Sequence, residues 1–103
     1  MFSFFKKLFS TPDLQKLLQE GAAIVDVRTP QEFKSGHAKG AMNIPLDAIA
    51  SNADSLKKYS HIIVCCASGM RSGQAKSILE KKGFTNVTNG GSWYNVAKIV
   101  GQE

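Results

Sequence analysis

The chain is short of cysteine and histidine, with two of each in 103 residues. The two cysteines, Cys65 and Cys66, are neighbours, so they form no disulfide framework, and a bridge between them would strain the peptide geometry. The pair C-x-x-C is absent. His37 and His61 lie far apart in the sequence, so no zinc-ligand set is visible and neither a metal nor a cofactor is expected. No apolar run approaches the ~20 residues that cross a bilayer. Acidic residues are also few, 8 Asp and Glu against 13 Lys and Arg, for a net charge of +5. The surplus is scattered over Lys6, Lys7, Lys57, Lys58, Lys81 and Lys82 rather than gathered in a patch, so no nucleic-acid partner is expected. Lysine pairs at helix ends read as solvated faces and dipole partners. The net charge still welcomes small anions. Repeats and low-complexity stretches are missing, and 43% hydrophobic with 20% charged residues is an ordinary globular balance. These features point to one domain with free thiols, expected in the cytoplasm as a monomer.

Two segments are distinguished. Residues 1–10, MFSFFKKLFS, are an apolar and basic extension, expected to pack on the domain. The alternative is an interfacial anchor with Phe2, Phe5 and Phe9 opposite Lys6 and Lys7. Residues 11–103 are the folded domain. Thr11 as N-cap, Pro12 at the first position and Gly21 as stop bracket a helix with Leu14, Leu17 and Leu18 on one face. AAIVDV is a short β-branched run, a buried strand. Thr29, Pro30 and Glu32 form a second start signal with Gly36 as stop. A short strand is expected at Met42–Ile44, then helical spacing at Leu46, Ile49, Ala53 and Leu56. HIIVC is a continuous apolar run, central in a parallel sheet. MRSGQAKSILEKKG is a helix with Ile78 and Leu79 inward and Gly83 at its end. FTNVTN is the last strand, and Gly90-Gly91 turns the chain into a final helix. Strands alternating with helices predict an α/β fold with a mainly parallel sheet.

The chemistry concentrates in HIIVCCASGMRSGQ. A loop from a central parallel strand into a helix sits at the carboxyl edge of the sheet, where open α/β folds bind ligands. Its N–H groups and the helix N-terminus form an anion-binding concavity. A cysteine there is favoured as thiolate. Arg71 adds positive charge, which would lower the cysteine pKa further and hold an anionic substrate. Gly69 and Ser68 let the chain curl. The competing reading is a packed strand-end cysteine, since free Cys is among the most buried residue types. Gly, Ser and Arg directly after it favour a nucleophile.

Four stretches resemble a known family. IVDVRTPQEFKSGHAKGAMNIP, IIVCCASGMRSGQAKSILEKKGF, VTNGG and SWYNV together, over roughly residues 10–100, are similar to a single-domain rhodanese, a sulfurtransferase homology domain. The resemblance implies a three-layer α/β/α fold with a central mainly parallel sheet flanked by helices. It implies Cys66 as nucleophile and Ala67, Ser68, Gly69, Met70, Arg71 and Ser72 as the substrate-binding loop. It implies a Cys66 persulfide, formed from thiosulfate or another sulfane donor and passed to cyanide, a thiol or a sulfur-carrier protein.

Three features depart from the pattern. Lys39 stands where proline is frequent. Trp93 follows Gly90-Gly91 closely, so the last helix is expected in a shifted register. Cys65 is extra: either the last buried strand residue or a thiol that resolves or accepts sulfur. Counted from Cys65, CCASGMR fits C-x5-R and resembles the phosphatase and arsenate-reductase relatives of the fold, although the loop has no general acid. A non-catalytic binding module is the third reading. His37 is expected to bond backbone, His61 to cap the central strand, Asp26 and Arg28 to form a loop-fixing pair, and Trp93 to seal the core.

Overall fold

The computed structural model describes residues 13–101. At its centre lies β3 (Ile62–Cys66), buried at every position as an apolar strand covered on both faces must be. β1 (Ala23–Asp26) pairs with it on one side and β4 (Val87–Ser92) on the other, while β2 (Met42–Asn43) lies outside β1. Every pairing in this β2-β1-β3-β4 sheet is parallel. The mainly parallel sheet of the sequence reading is thus wholly parallel among the described residues.

Helices cover both faces. On one, Ile49 of α3 (Ile49–Asn52) and Ala75 and Leu79 of α4 (Met70–Lys81) pack with Val25, Ile62, Val64 and Cys66. On the other, Leu14 of α1 (Leu14–Gln19) and Val96 and Ala97 of α5 (Trp93–Ile99) pack with Ile24, Ile63 and Cys65. The remaining short helix, α2 (Pro30–Lys34), buries nothing fully. The strand period of two therefore sends the neighbouring cysteines into different cores. Full burial makes each core position costly to truncate: Leu79→Ala should destabilise by about 2–5 kcal/mol.

Several sequence signals act as read. Thr29 and Glu32 close a capping box, with Glu32 N–H donating to Thr29 Oγ1 at 3.2 Å and Thr29 N–H to Glu32 Oε1 at 3.0 Å. Gly83, at φ +98°, ends α4, and its N–H reaches Glu80 O. Three details differ. α1 opens at Leu14 with Asp13 as cap, its carboxylate accepting from Lys16 N–H; Thr11 and Pro12, like the 1–10 extension, lie outside the described residues. The stretch expected as one helix after Leu46 breaks into a 3-10 turn, α3 and a second 3-10 turn (Ala53–Leu56). Ser51, Asn52 and Ser55 side chains there donate to backbone carbonyls and compete with the helical ladder. Ile49, Ala53 and Leu56 still face inward.

The third correction matters most for the site. The last strand does not stop before the glycine pair; it runs through Gly90 and Gly91 to Ser92. Val64 pairs with Asn89 but Cys65 with Gly91, leaving Gly90 as the extra residue of a bulge. A Cβ on Gly90 would lie 2.8 Å from Ile63 Cγ2, so only glycine fits this approach. Because the bulge absorbs the glycines, α5 starts at once, with Ser92 Oγ accepting from Tyr94 N–H as its cap.

Candidate active site

β3 ends at Cys66, and residues 67–69 curl back before α4 begins. The curl depends on Gly69, whose φ of +102° is left-handed and whose Cα side lies against Gly91. In this conformation the loop amides turn toward the cysteine. Gly69 N–H donates to Cys66 Sγ at 2.9 Å and Ser72 N–H at 3.4 Å, with Ser72 Oγ also 3.4 Å from the sulfur. Cys66 has no exposed surface: it packs in the core cluster that includes Val64 and Ala75, and its sulfur also accepts from the loop N–H groups of Gly69 and Ser72.

Two effects oppose each other on the Cys66 thiol. Burial pushes its pKa up. The Ser72 hydroxyl and the N–H groups of Ser72, Gly69 and Ser68 pull it down, and the hydrogen bonds win: the thiol sits below its ordinary range. Ser72 has only one hydroxyl hydrogen, and Asn89 Oδ1 competes for it at 2.7 Å. Asn89 is held in place by Gly91 N–H, which donates to Oδ1, and by its own amide, which donates to Gly69 O. With Cys66 protonated, the thiol donates to Ser72 and Ser72 donates to Asn89. With Cys66 ionised, the Ser72 hydrogen turns to the sulfur.

Cys65 is the contrast. Its thiol lies among Ile24, Ile63, Val96 and Ala97. Burial, and then the negative charge of Asp26, push its pKa up to about 12. The C-x5-R reading therefore has its nucleophile on the wrong face of the sheet. Both cysteines are free.

Arg71 has a partner that the sequence did not indicate. Its guanidinium grips the Glu32 carboxylate with two bonds, Nη1 to Oε1 at 2.7 Å and Nη2 to Oε2 at 3.0 Å. Arg71, and then the Thr29 N–H, hold the Glu32 pKa at about 2. The downward pull on the Cys66 pKa comes first from the Ser72 hydroxyl and the loop N–H groups, while the Arg71 guanidinium feels the Cys66 charge and is held mainly by Glu32. Glu32 was visible in the sequence only as a helix cap, and Asn89 carried no signal there beyond strand membership.

The supporting shell follows the sequence reading. Asp26 and Arg28 form a buried pair, Nη2 to Oδ2 at 2.7 Å. Arg28 reaches on to Gly36 O at 2.7 Å and lies 4.7 Å from the Trp93 ring centroid, tying α2 to α5. Trp93 also fills the space beside Gly36. His37 Nδ1 bonds Phe33 O at 2.7 Å and its ring stacks on Phe33, so it faces backbone rather than the loop. His61 Nε2 meets Thr88 Oγ1 at 2.8 Å, joining the start of β3 to β4. Among the described residues no cluster of His, Cys, Asp and Glu could hold a metal, and no helix is long and apolar enough to cross a membrane.

A parallel sheet, a strand-to-helix loop around one sulfur and a DVR pair behind it define a narrow class, and comparison with known proteins names it. Residues 10–96 match the family model of the rhodanese-like domain. This chain belongs to the rhodanese-like domain family. It is 37% identical over 75 residues to the thiosulfate sulfurtransferase PspE of Escherichia coli, covering 71% of this chain and 72% of that one. It is 42% identical over 83 residues to the chloroplastic thiosulfate sulfurtransferase 16 of Arabidopsis thaliana, covering 69% of each. Among solved structures, an E. coli rhodanese with anions superposes at a TM-score of 0.69 with 37% identity, over 75% of this chain and 93% of that one. The human single-domain sulfurtransferase TSTD1 does so at 0.69 with 26% identity, over 82% and 89%. The rhodanese sulfurtransferase family and fold are thus established for this domain.

Proposed function

We propose that this rhodanese carries sulfane sulfur on Cys66 as a persulfide. The observation that supports the reading most is the set of donors around one sulfur: Gly69 N–H, Ser72 N–H and the Ser72 hydroxyl. The Cys66 thiolate attacks the outer sulfur of a sulfane donor. A Cys66 Sγ–S bond forms while the S–S bond of the donor breaks, and its electron pair leaves with the remainder, sulfite when the donor is thiosulfate. A persulfide keeps its charge on the terminal sulfur, ~2 Å beyond Sγ. Fixed dipoles of the Ala67–Ser72 loop then stabilise that anion without reorganising. A thiol or cyanide acceptor attacks the terminal sulfur, forming a new persulfide or thiocyanate and returning the Cys66 thiolate.

Intact mass after incubation with thiosulfate tests this. One added sulfur is expected in the wild type and in Cys65→Ser, and none in Cys66→Ser. Loss of the adduct in Cys65→Ser alone, or no adduct in the wild type, would overturn the assignment.

A further inference from the structure

Thiosulfate carries two negative charges, and Arg71 is the cation of the Cys66–Ser72 loop. That cation is already engaged. Both Glu32 carboxylate oxygens accept from Arg71, at 2.7 and 3.0 Å. The carboxylate is also held from behind, since Thr29 N–H and Thr29 Oγ1 both donate to Oε1. Glu32 stays ionised down to about pH 2. The Glu32 carboxylate thus offsets the charge of Arg71, the loop cation that also feels the Cys66 charge, so the pair attracts a dianion less than an unpaired arginine would.

The space beside Arg71 has the same preference. A cleft of about 250 Å³ runs along Arg71 between Val27, Thr29, Pro45, Leu46 and Asp47. Val27, Pro45 and Leu46 give it hydrocarbon walls, and Asp47 places another negative charge at its edge. Among the described residues Arg71 is the one cation that lines it, and that cation is paired with Glu32, whereas an organic group finds apolar surface.

We infer that Glu32 is a positioning residue that sets donor selectivity through Arg71, favouring organic sulfane donors of single negative charge over thiosulfate. The inference rests on the persulfide reading above. For benzenethiosulfonate the step balances: the Cys66 thiolate takes the terminal sulfur, the S–S bond breaks, and benzenesulfinate leaves with the electron pair.

Sulfur loading of Cys66, followed by mass against donor concentration, separates the two ideas. Wild type and Glu32→Gln are each titrated with thiosulfate and with benzenethiosulfonate. Glutamine retains the capping box. The wild type should show the lower KM for benzenethiosulfonate. Glu32→Gln should lower the KM for thiosulfate about fivefold, the scale of a half-exposed ion pair. The change should fall on KM rather than kcat, leave the benzenethiosulfonate KM within about twofold, and fade at high salt. Should Glu32→Gln fold poorly, Glu32→Asp, which withdraws the carboxylate from Arg71, serves the same comparison. Normal loading with both KM values moving together, or neither moving, overturns the inference and leaves the persulfide intact; so does a wild type that prefers thiosulfate. No loading from either donor overturns both.

Discussion

Cys65 and Cys66 differ by one position in β3, and that position decides everything about them. Both are fully buried. Cys65 lies among aliphatic side chains, Asp26 is the charge that acts on it most, and its pKa rises to about 12. Cys66 ends the strand beneath a loop of amides, and its pKa falls despite burial. Burial alone thus says nothing about reactivity. Both thiols pack against hydrocarbon; what separates them is that oriented N–H groups also reach the Cys66 sulfur.

This contrast can be broken in graded ways. The largest effect is expected in alkylation near neutral pH. Cys66 should react and Cys65 should not, with rates at least about a thousandfold apart because so little of Cys65 is thiolate; iodoacetamide labelling with peptide mapping reads it, and comparable rates would sink the distinction. Gly69→Ala comes next. A Cβ at φ +102° is strained and 3.4 Å from Gly91 Cα, so the amide should swing off Sγ and loading by thiosulfate should fall about a hundredfold, the low end for a lost oxyanion donor.

Cys65 should show itself through stability. Its folded pKa is raised, so its contribution to stability is complete below the unfolded value of 9.0 and is lost as pH rises toward about 12. Denaturation midpoints should fall across that window, at most by roughly 1.4 kcal/mol per pH unit from this group, and Cys65→Ala should flatten the fall. The smallest effect belongs to Ser72→Ala. Without the hydroxyl the Cys66 pKa should rise, shifting the alkylation profile to higher pH and lowering the neutral-pH rate about fivefold. An unshifted profile would mean that the backbone N–H groups suffice.

Legibility followed sequence distance. β1, β3, α2 and α4 were visible because apolar period, caps and stops are local, and Thr29 and Glu32 form the expected box. The Cys66–Ser72 loop was visible because its glycine, serines and arginine are contiguous. The break after Leu46 was missed because Ser51, Asn52 and Ser55 choose backbone carbonyls only once the segment packs. The course of β4 through Gly90 was missed because glycine reads as a turn, whereas here it admits Ile63 and Val96.

By itself the sequence determined the fold class and the loop, since apolar period, caps and the contiguous loop residues are local signals; that the two cysteines enter different cores came with the packing. Tertiary structure decided which partners complete the site. Glu32 meets Arg71 across 39 positions of chain, and Asn89 meets Ser72 across 17. Such partners carry no local signal, because what selects them is the register of separate elements. The bulge in β4 and the anchoring of α2 bring a carboxylate to the loop arginine and an amide to the loop serine, and through them set the charge and hydrogen bonding felt by Cys66.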